Sequence, residues 1–346
     1  MMSTSRILII GLGSVGVRHL RIARNLFPKA DIRTLSNRTD SESLGFANGN
    51  FGTITEATKY APQITVVASP TTSHLGHALA MANTGSHLLI EKPISDTQIG
   101  VMGLIEICRE KKTSLAVGYN LRFSPSLQVL HKLLSDNLLG GIYSVRCEVG
   151  KYLPTWRPDR DYREGISARK DLGGGVLLEL SHEIDYLHWL FGDVDWVHST
   201  ATNQSKLKID VEDSVHSILG FKTNVRNQQL VGILSLDFIR HDETRGCTVI
   251  GEKGTLVWDG VKGEVRCYLE SEGKWVILFQ QEPKKDETYF AEWKNFLDSI
   301  TRGVEPLVTG TQGLKVLETI EAIRNSAALG RRIDVVEGRY TGENFA

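Results

Sequence analysis

Short apolar runs alternate with amphipathic stretches along the first third of the chain. "RILIIG" (6–11) is apolar after its first residue and ends in glycine, which predicts a strand buried on both faces. The following stretch, "SVGVRHLRIARNLF" (14–27), gathers Val17, Leu20, Ile22, Ala23 and Leu26 near one side of a helix. Further strands are predicted at 31–36, 64–69, 86–91 and 114–119, with helices at 73–85 and 99–112. Strand–helix alternation of this kind predicts a parallel sheet with right-handed crossovers.

The pattern changes after about residue 123. A helix is predicted at 125–137, a strand-like run at 141–152, and a helix over "GGGVLLELSHEIDYLHWLFG" (173–192). Alternating or β-branched runs follow at 194–202, 211–222, 228–239, 246–258, 262–269 and 274–280, with turn signals such as "GEKG" (251–254). They predict a mainly antiparallel sheet. Helices at 287–301 and 311–329 come last, with Gly330 placed to end the second.

One motif gives the first region a role. "GLGSVG" (11–16) follows a predicted buried strand and opens a predicted helix. Gly11 permits a tight turn, Gly13 lets backbone approach a pyrophosphate, and Gly16 allows close helix–strand packing. The N–H groups at Ser14, Val15 and Gly16 then face the phosphates. The expected fold class is α/β, with a Rossmann dinucleotide-binding domain over 1–122 and a substrate-binding and oligomerisation α+β domain over 123–346. An NAD site usually carries an acid about 20 residues further on. Here Ser36, Asn37 and Arg38 stand at the end of the second strand. An Arg without a neighbouring carboxylate suits a 2′-phosphate, so the pattern leans to NADP over NAD.

Composition narrows the partners. Forty Lys and Arg nearly balance 41 Asp and Glu. That balance gives no electrostatic footprint for nucleic acid or an anionic membrane. Cys108, Cys147, Cys247 and Cys267 are widely spaced, so neither a structural metal nor a disulfide framework is expected. The opening "MMSTSRILIIGLG" reads as neither signal peptide nor span, and a cytoplasmic protein is expected.

Three stretches resemble the Gfo/Idh/MocA family of glucose–fructose oxidoreductase and inositol dehydrogenase-like enzymes. They are "VVASPTTSHLGHALAMANTGSHLLIEKPIS" (66–95), "VGYNLRFSP" (117–125) and "PLVTGTQGLKVLETIEAIRNSAALGRRIDV" (306–335). The resemblance implies a Rossmann domain and a C-terminal domain with a large open sheet, through which such chains often form homodimers or homotetramers. It implies that Lys92 of Glu-Lys-Pro is catalytic. It further implies that Glu91, Ser69, Pro70, Thr71, His74 and Asn120 line the cofactor, and that Tyr119, Asn120 and Arg122 reach the substrate. Independently, Lys92 falls at a strand's C-terminal end, where open α/β sheets bind ligands. An ammonium there suits a substrate hydroxyl and its developing alkoxide.

A wheel of 173–192 gathers Leu177, Leu180, Ile184, Leu187 and Phe191 on one side. Glu179, His182, Glu183 and Tyr186 gather on the other, with Asp185 at its edge. In the family such a helix carries Asp-x-x-x-His-x-x-Asp, and its His is the general acid/base. This chain has Glu179 three residues before His182. Aligning Glu179 first would place Glu183 at the histidine position. His182 is preferred because an imidazole titrates near neutral pH. Glu179 and Asp185 are then substrate contacts.

The irregular stretch 151–172 adds Tyr152 and Trp156 for stacking on a ring. It also adds Arg157 and Arg163 for an anionic group, with six basic against four acidic residues. The reading is a hydride transfer between nicotinamide and a secondary alcohol or ketone of a sugar derivative, such as a sugar acid or nucleotide sugar. Stretches such as "YLPTWRP" resemble oxidoreductases of surface-polysaccharide or nonulosonic-acid biosynthesis. Alternatives are an NAD-dependent glycoside hydrolase using transient oxidation, and a non-catalytic cofactor-binding regulator.

Overall fold

The computed structural model describes residues 6–37, 45–222 and 229–336. These divide into two compact units, one of Met1–Tyr119 with Tyr289–Leu317, the other of Asn120–Thr288 with Glu318–Ala346.

The first unit holds a six-stranded parallel sheet: β1 (Arg6–Ile10), β2 (Asp31–Leu35), β3 (Gly49–Phe51), β4 (Ile64–Val67), β5 (His87–Glu91) and β6 (Leu115–Gly118). Its order is β3-β2-β1-β4-β5-β6, with every neighbouring pair parallel. The strand order reverses between β1 and β4, and the crevice at such a switch point is where doubly wound sheets bind ligands. Crossover helices are α1 (Ser14–Leu26), α2 (Ile54–Tyr60), α3 (His74–Asn83) and α4 (Val101–Glu110). The short edge strand β3 escapes the sequence pattern because three residues cannot display a period.

The sequence pattern places everything after 122 in one domain, and here the structure differs. Trp293 and Phe296 are fully buried in the same cluster as Ile7, Ile9, Leu20 and Ile32. They lie on α8 (Glu287–Arg302), whose apolar side completes the first unit's core. Burying two aromatics of this size contributes on the order of 5 kcal/mol to that unit.

The second unit holds nine strands: β7 (Ile142–Gly150), β8 (Val194–Thr202), β9 (Ser214–Phe221), β10 (Val231–Asp237), β11 (Thr244–Gly251), β12 (Gly254–Asp259), β13 (Glu264–Leu269), β14 (Lys274–Gln280) and β15 (Ile333–Asp334). Their order is β14-β13-β12-β11-β7-β10-β9-β8-β15. The β7/β10 pair is parallel and all others are antiparallel. The apolar run 246–258 is therefore two strands, split at the Gly251–Gly254 hairpin.

Register divides this sheet into unlike faces. Leu234, Cys147, Cys247, Trp258 and Val265 stand in one row, all buried. Ile218, Ile233, Arg146, Thr248, Val257 and Arg266 stand in a row on the other face, where Ile218 and Ile233 are exposed. The helices of this unit are α5 (Pro125–Ser135), α6 (Val176–Glu179), α7 (His182–Phe191) and α9 (Gly310–Leu329), the last beginning within the first unit. No described helix is long and apolar enough to cross a membrane.

Candidate active site

Glycine shapes the nucleotide end of the first unit. Gly11 leaves β1 at φ +90°, and a Cβ there would lie 2.4 Å from the Ala68 carbonyl oxygen. At Gly16 a Cβ would meet the Gly11 oxygen at 1.9 Å, so α1 can begin this close to the strand only with glycine. Around Gly13 the space for a Cβ is open to 4 Å. No side chain caps α1, so the N–H groups of its first turn, from Ser14, Val15 and Gly16, are available to an anion. This donor set, at the switch point of the sheet, fits a dinucleotide pyrophosphate.

At the end of β2, the Ser36 carbonyl accepts from Asn50 Nδ2 at 3.1 Å, and Asn37 is exposed. Arg38 lies outside the described residues. After β4 the chain turns through Ser69, Pro70 and Thr71 into α3, with Ser69 and Thr71 buried. His74, expected to line the cofactor, has both ring nitrogens against backbone carbonyls. Its ring nitrogens lie 2.8 Å from the Pro93 and Ser69 carbonyl oxygens, and its side chain is buried. It braces the β4 and β5 exits against each other, and burial pulls its pKa down.

Glu91 ends β5, and Lys92 follows half-buried. Glu91 Oε1 lies 2.7 Å from His19 Nε2, and Oε2 accepts from the Lys92 backbone N–H at 3.2 Å. Burial alone pushes the Glu91 carboxyl up, but the His19 hydrogen bond, the Lys92 charge and that N–H together hold it below its usual value. On the other side of His19, Trp293 Nε1 donates to Nδ1 at 2.9 Å. The sequence pattern missed both residues. The available signal was a histidine three residues past Gly16, on a face of α1 otherwise filled by Leu20, Ile22 and Ala23.

In the second unit the single helix expected over 173–192 is two, interrupted at Leu180–Ser181, where Ser181 Oγ donates back to the Leu178 carbonyl at 2.9 Å. The interruption separates the polar residues that the wheel had grouped. Glu179 and His182 are half-exposed. Glu183 and Tyr186 turn inward to the buried face of the sheet. Tyr186 Oη lies 2.9 Å from Cys147 Sγ, and Glu183 Oε1 lies 2.9 Å from Arg245 Nε. Glu183 is fully buried, so the alternative alignment that would make it the proton-transfer residue has no solvent-facing group to use.

Arg122 and Asp185, expected to reach substrate, are buried and satisfy each other. Arg122 Nε donates to Asp185 Oδ2 at 2.9 Å, and Nη2 donates to Oδ1 at 2.7 Å. A bidentate pair uses the fork of the guanidinium and both carboxylate oxygens. Tyr119 is fully buried, and Asn120 Nδ2 donates to Thr288 Oγ1 at 2.8 Å.

The glycines before α6 now have a cause. Gly175 sits at φ +100°, and a Cβ there would lie 2.4 Å from Glu212 Oε1. That carboxylate accepts the Leu177 N–H at 3.1 Å. Ser167, from the preceding loop, donates to Glu179 Oε2 at 3.0 Å. Neither Glu212 nor Ser167 was legible locally, since both contacts depend on chain brought from elsewhere.

The 151–172 loop is more neutral than its composition. Lys151 pairs with Glu243 at 2.7 Å, Arg163 folds back on Asp161, and Arg169 pairs with Asp171 at 2.6 Å. Arg157, Arg160 and Lys170 have no ion pair among the described residues. The Tyr152 ring packs tilted against His241 with ring centroids 4.2 Å apart. Trp156 packs edge-on to Phe238, and its Nε1 donates to the Lys151 carbonyl at 3.0 Å. Both aromatics thus lean on the second unit's own residues.

Comparison with known proteins agrees with this architecture. Residues 5–119 match the model of an oxidoreductase family's NAD-binding Rossmann fold, and residues 131–335 match that family's C-terminal alpha/beta domain. The chain is 24% identical over 349 residues to myo-inositol 2-dehydrogenase of Thermotoga maritima, covering 96% of this chain and 99% of that one. Levoglucosan dehydrogenase, solved with NADH and levoglucosan, superposes with a TM-score of 0.83 at 20% identity, covering 96% of this chain and 100% of that one. The WlbA dehydrogenase of Bordetella pertussis, solved with NADH and UDP-GlcNAcA, superposes at 0.79 with 21% identity, covering 97% and 100%.

Proposed function

The chain belongs to the Gfo/Idh/MocA oxidoreductase family, and from that premise we propose that it oxidises a secondary alcohol, or reduces the matching ketone, of a sugar derivative. The observation that carries this reading is the first unit's pairing of an uncapped, glycine-lined α1 N-terminus with Lys92 at the end of β5. A bound nicotinamide supplies or accepts the hydride. Lys92 donates a hydrogen bond to the reacting oxygen and stabilises the charge that develops on it. His182 takes the hydroxyl proton in oxidation and returns it in reduction. Glu179, held by Ser167, orients the sugar or the His182 ring.

The structural neighbours were solved with levoglucosan in one case and UDP-GlcNAcA in the other. The self-paired Arg163 and Arg169 leave Arg157, Arg160 and Lys170 as the loop's groups for an anion. Ser36 in place of an acid supports NADP; a wild-type preference for NADH, or an Arg38→Ala variant with unchanged NADPH affinity, would overturn that choice. The exposed row through Ile218 and Ile233 supports self-association through the open sheet face, tested by the loss of higher mass in Ile233→Asp on light scattering.

The decisive experiment is a panel of sugars, sugar acids and nucleotide sugars, read at the absorbance of reduced nicotinamide with both cofactors. On a substrate so found, Lys92→Met and His182→Ala each lower kcat/KM by roughly a hundred-fold or more. Intact turnover in both variants would sink the assignment.

A further inference from the structure

His19, Glu91 and Trp293 form a directional chain inside the first unit. An indole N–H donates only, so His19 Nδ1, 2.9 Å from Trp293 Nε1, is the acceptor and carries no proton. The ring proton then sits on Nε2 and is donated to Glu91 Oε1 at 2.7 Å. Protonating Nδ1 would set two N–H groups against each other. We infer that Trp293 locks His19 as the Nε2–H tautomer, and that His19 is thereby a positioning residue that fixes the Glu91 carboxylate beside Lys92. This rests on the reading of Lys92 as the group that polarises the reacting oxygen.

The surroundings are consistent with one proton order. Tyr289, on α8 with Trp293, meets the His19 ring edge-on at 5.6 Å, and Arg18 lies 4.6 Å over the Tyr289 ring. Glu292, also on α8, is buried with neither carboxylate oxygen hydrogen-bonded, and burial together with the nearby Glu91 raises its pKa. Burial and Glu91 both favour the neutral form of Glu292, and Glu91, 2.7 Å from Nε2, is the carboxylate that meets the ring. The chain links the dinucleotide helix α1 to the end of β5 through a residue 274 positions away. A packing role alone would not require a donor at that indole position.

Two measurements test this. Nitrogen chemical shifts of 15N-histidine-labelled protein read the ring directly and need no substrate. The expected result is a neutral Nε2–H ring at neutral pH, with Nδ1 unprotonated. An Nδ1–H tautomer, or a ring carrying both protons at neutral pH, would overturn the inference. In kinetics, Trp293→Phe frees Nδ1, so its kcat gains an acid limb at about pH 6–7, where imidazoles titrate. The Trp293→Phe/His19→Gln double variant lacks that limb.

His19→Gln, which keeps a donor near the Nε2 position, retains kcat within about three-fold. His19→Leu loses roughly ten- to a hundred-fold, the scale of a small misplacement at a reacting centre, with cofactor affinity little changed. Equal, pH-independent losses in all these variants would mark a structural role and defeat the proposal. If Lys92→Met kept full turnover, the functional reading would fall, while the nitrogen shifts would still decide the tautomer.

Discussion

In the second unit, buried Asp185 meets Arg122 through two hydrogen bonds, and buried Glu183 meets Arg245 at 2.9 Å. In the first, Glu91 is met by the ring of His19, and Glu292 by no hydrogen-bond partner among the described residues. Both of these second-unit acids face a guanidinium, which stays charged across the working pH range, although burial still pushes the Asp185 carboxyl up. Those of the first unit are governed by hydrogen bonds and proximity, so protons decide their charge. A carboxylate that only holds shape can be met by guanidinium, which stays charged; one whose charge is tuned by its neighbours is met by groups that can gain or lose a proton.

The largest expected effect comes from breaking a permanent pair. Arg122→Met leaves the Asp185 charge buried and unpaired, at a cost of about 3–5 kcal/mol, read as a fall in the denaturation midpoint of the second unit. A midpoint within error of wild type would mean that Asp185 is neutral or hydrated there. Next comes Glu212→Ala, which removes the acceptor of the Leu177 N–H and opens space beside Gly175. The loss of such a charge-assisted hydrogen bond is about 1–3 kcal/mol, with a local rise in amide exchange at α6.

The smallest effect in acid, and the one that grows with pH, belongs to Glu292→Gln. Burial raises the folded-state pKa of Glu292 above its unfolded value, so the native state retains a proton that the unfolded chain gives up. Wild-type stability from this group is intact below about pH 4.5 and declines as pH rises towards the folded pKa. Glu292→Gln removes the decline, so its thermal midpoint equals wild type near pH 4 and exceeds it increasingly at pH 7–8. A constant offset across pH would mean that Glu292 is already ionised in the folded state. Ser167→Ala sharpens the contrast from the functional side: with Glu179 still present, its kcat falls by about an order of magnitude or less, as expected for one hydrogen bond.

What could be read in the sequence was local. GLGSVG fixes its own backbone, and Glu-Lys-Pro sits at a strand end marked by its apolar run, so the nucleotide cradle and Lys92 were both legible. The interruption at Leu180–Ser181 was not, because apolar residues keep a helical period straight through it. The partners of Glu183, Asp185 and His19 were hidden for a different reason. Arg245, Arg122 and Trp293 come from other strands and helices, and one sequence carries no signal that pairs them. The wheel grouped half-exposed Glu179 and His182 with buried Glu183 and Tyr186, since a wheel shows which residues share a face and not which face meets the sheet.

The parallel β7/β10 pair has a consequence for how the chain folds. β11 to β14 form a meander, and β8 and β9 pair through one connection, so each set can zip from local contacts. β7 lies between β10 and β11, two strands made long after it. It must wait for both, and its closure is slow because distant segments lose chain entropy before any contact repays it. Val145, buried in the middle of β7, is therefore where truncation to alanine retards refolding, whereas the same change at Leu256 in the β11–β12 hairpin chiefly hastens unfolding.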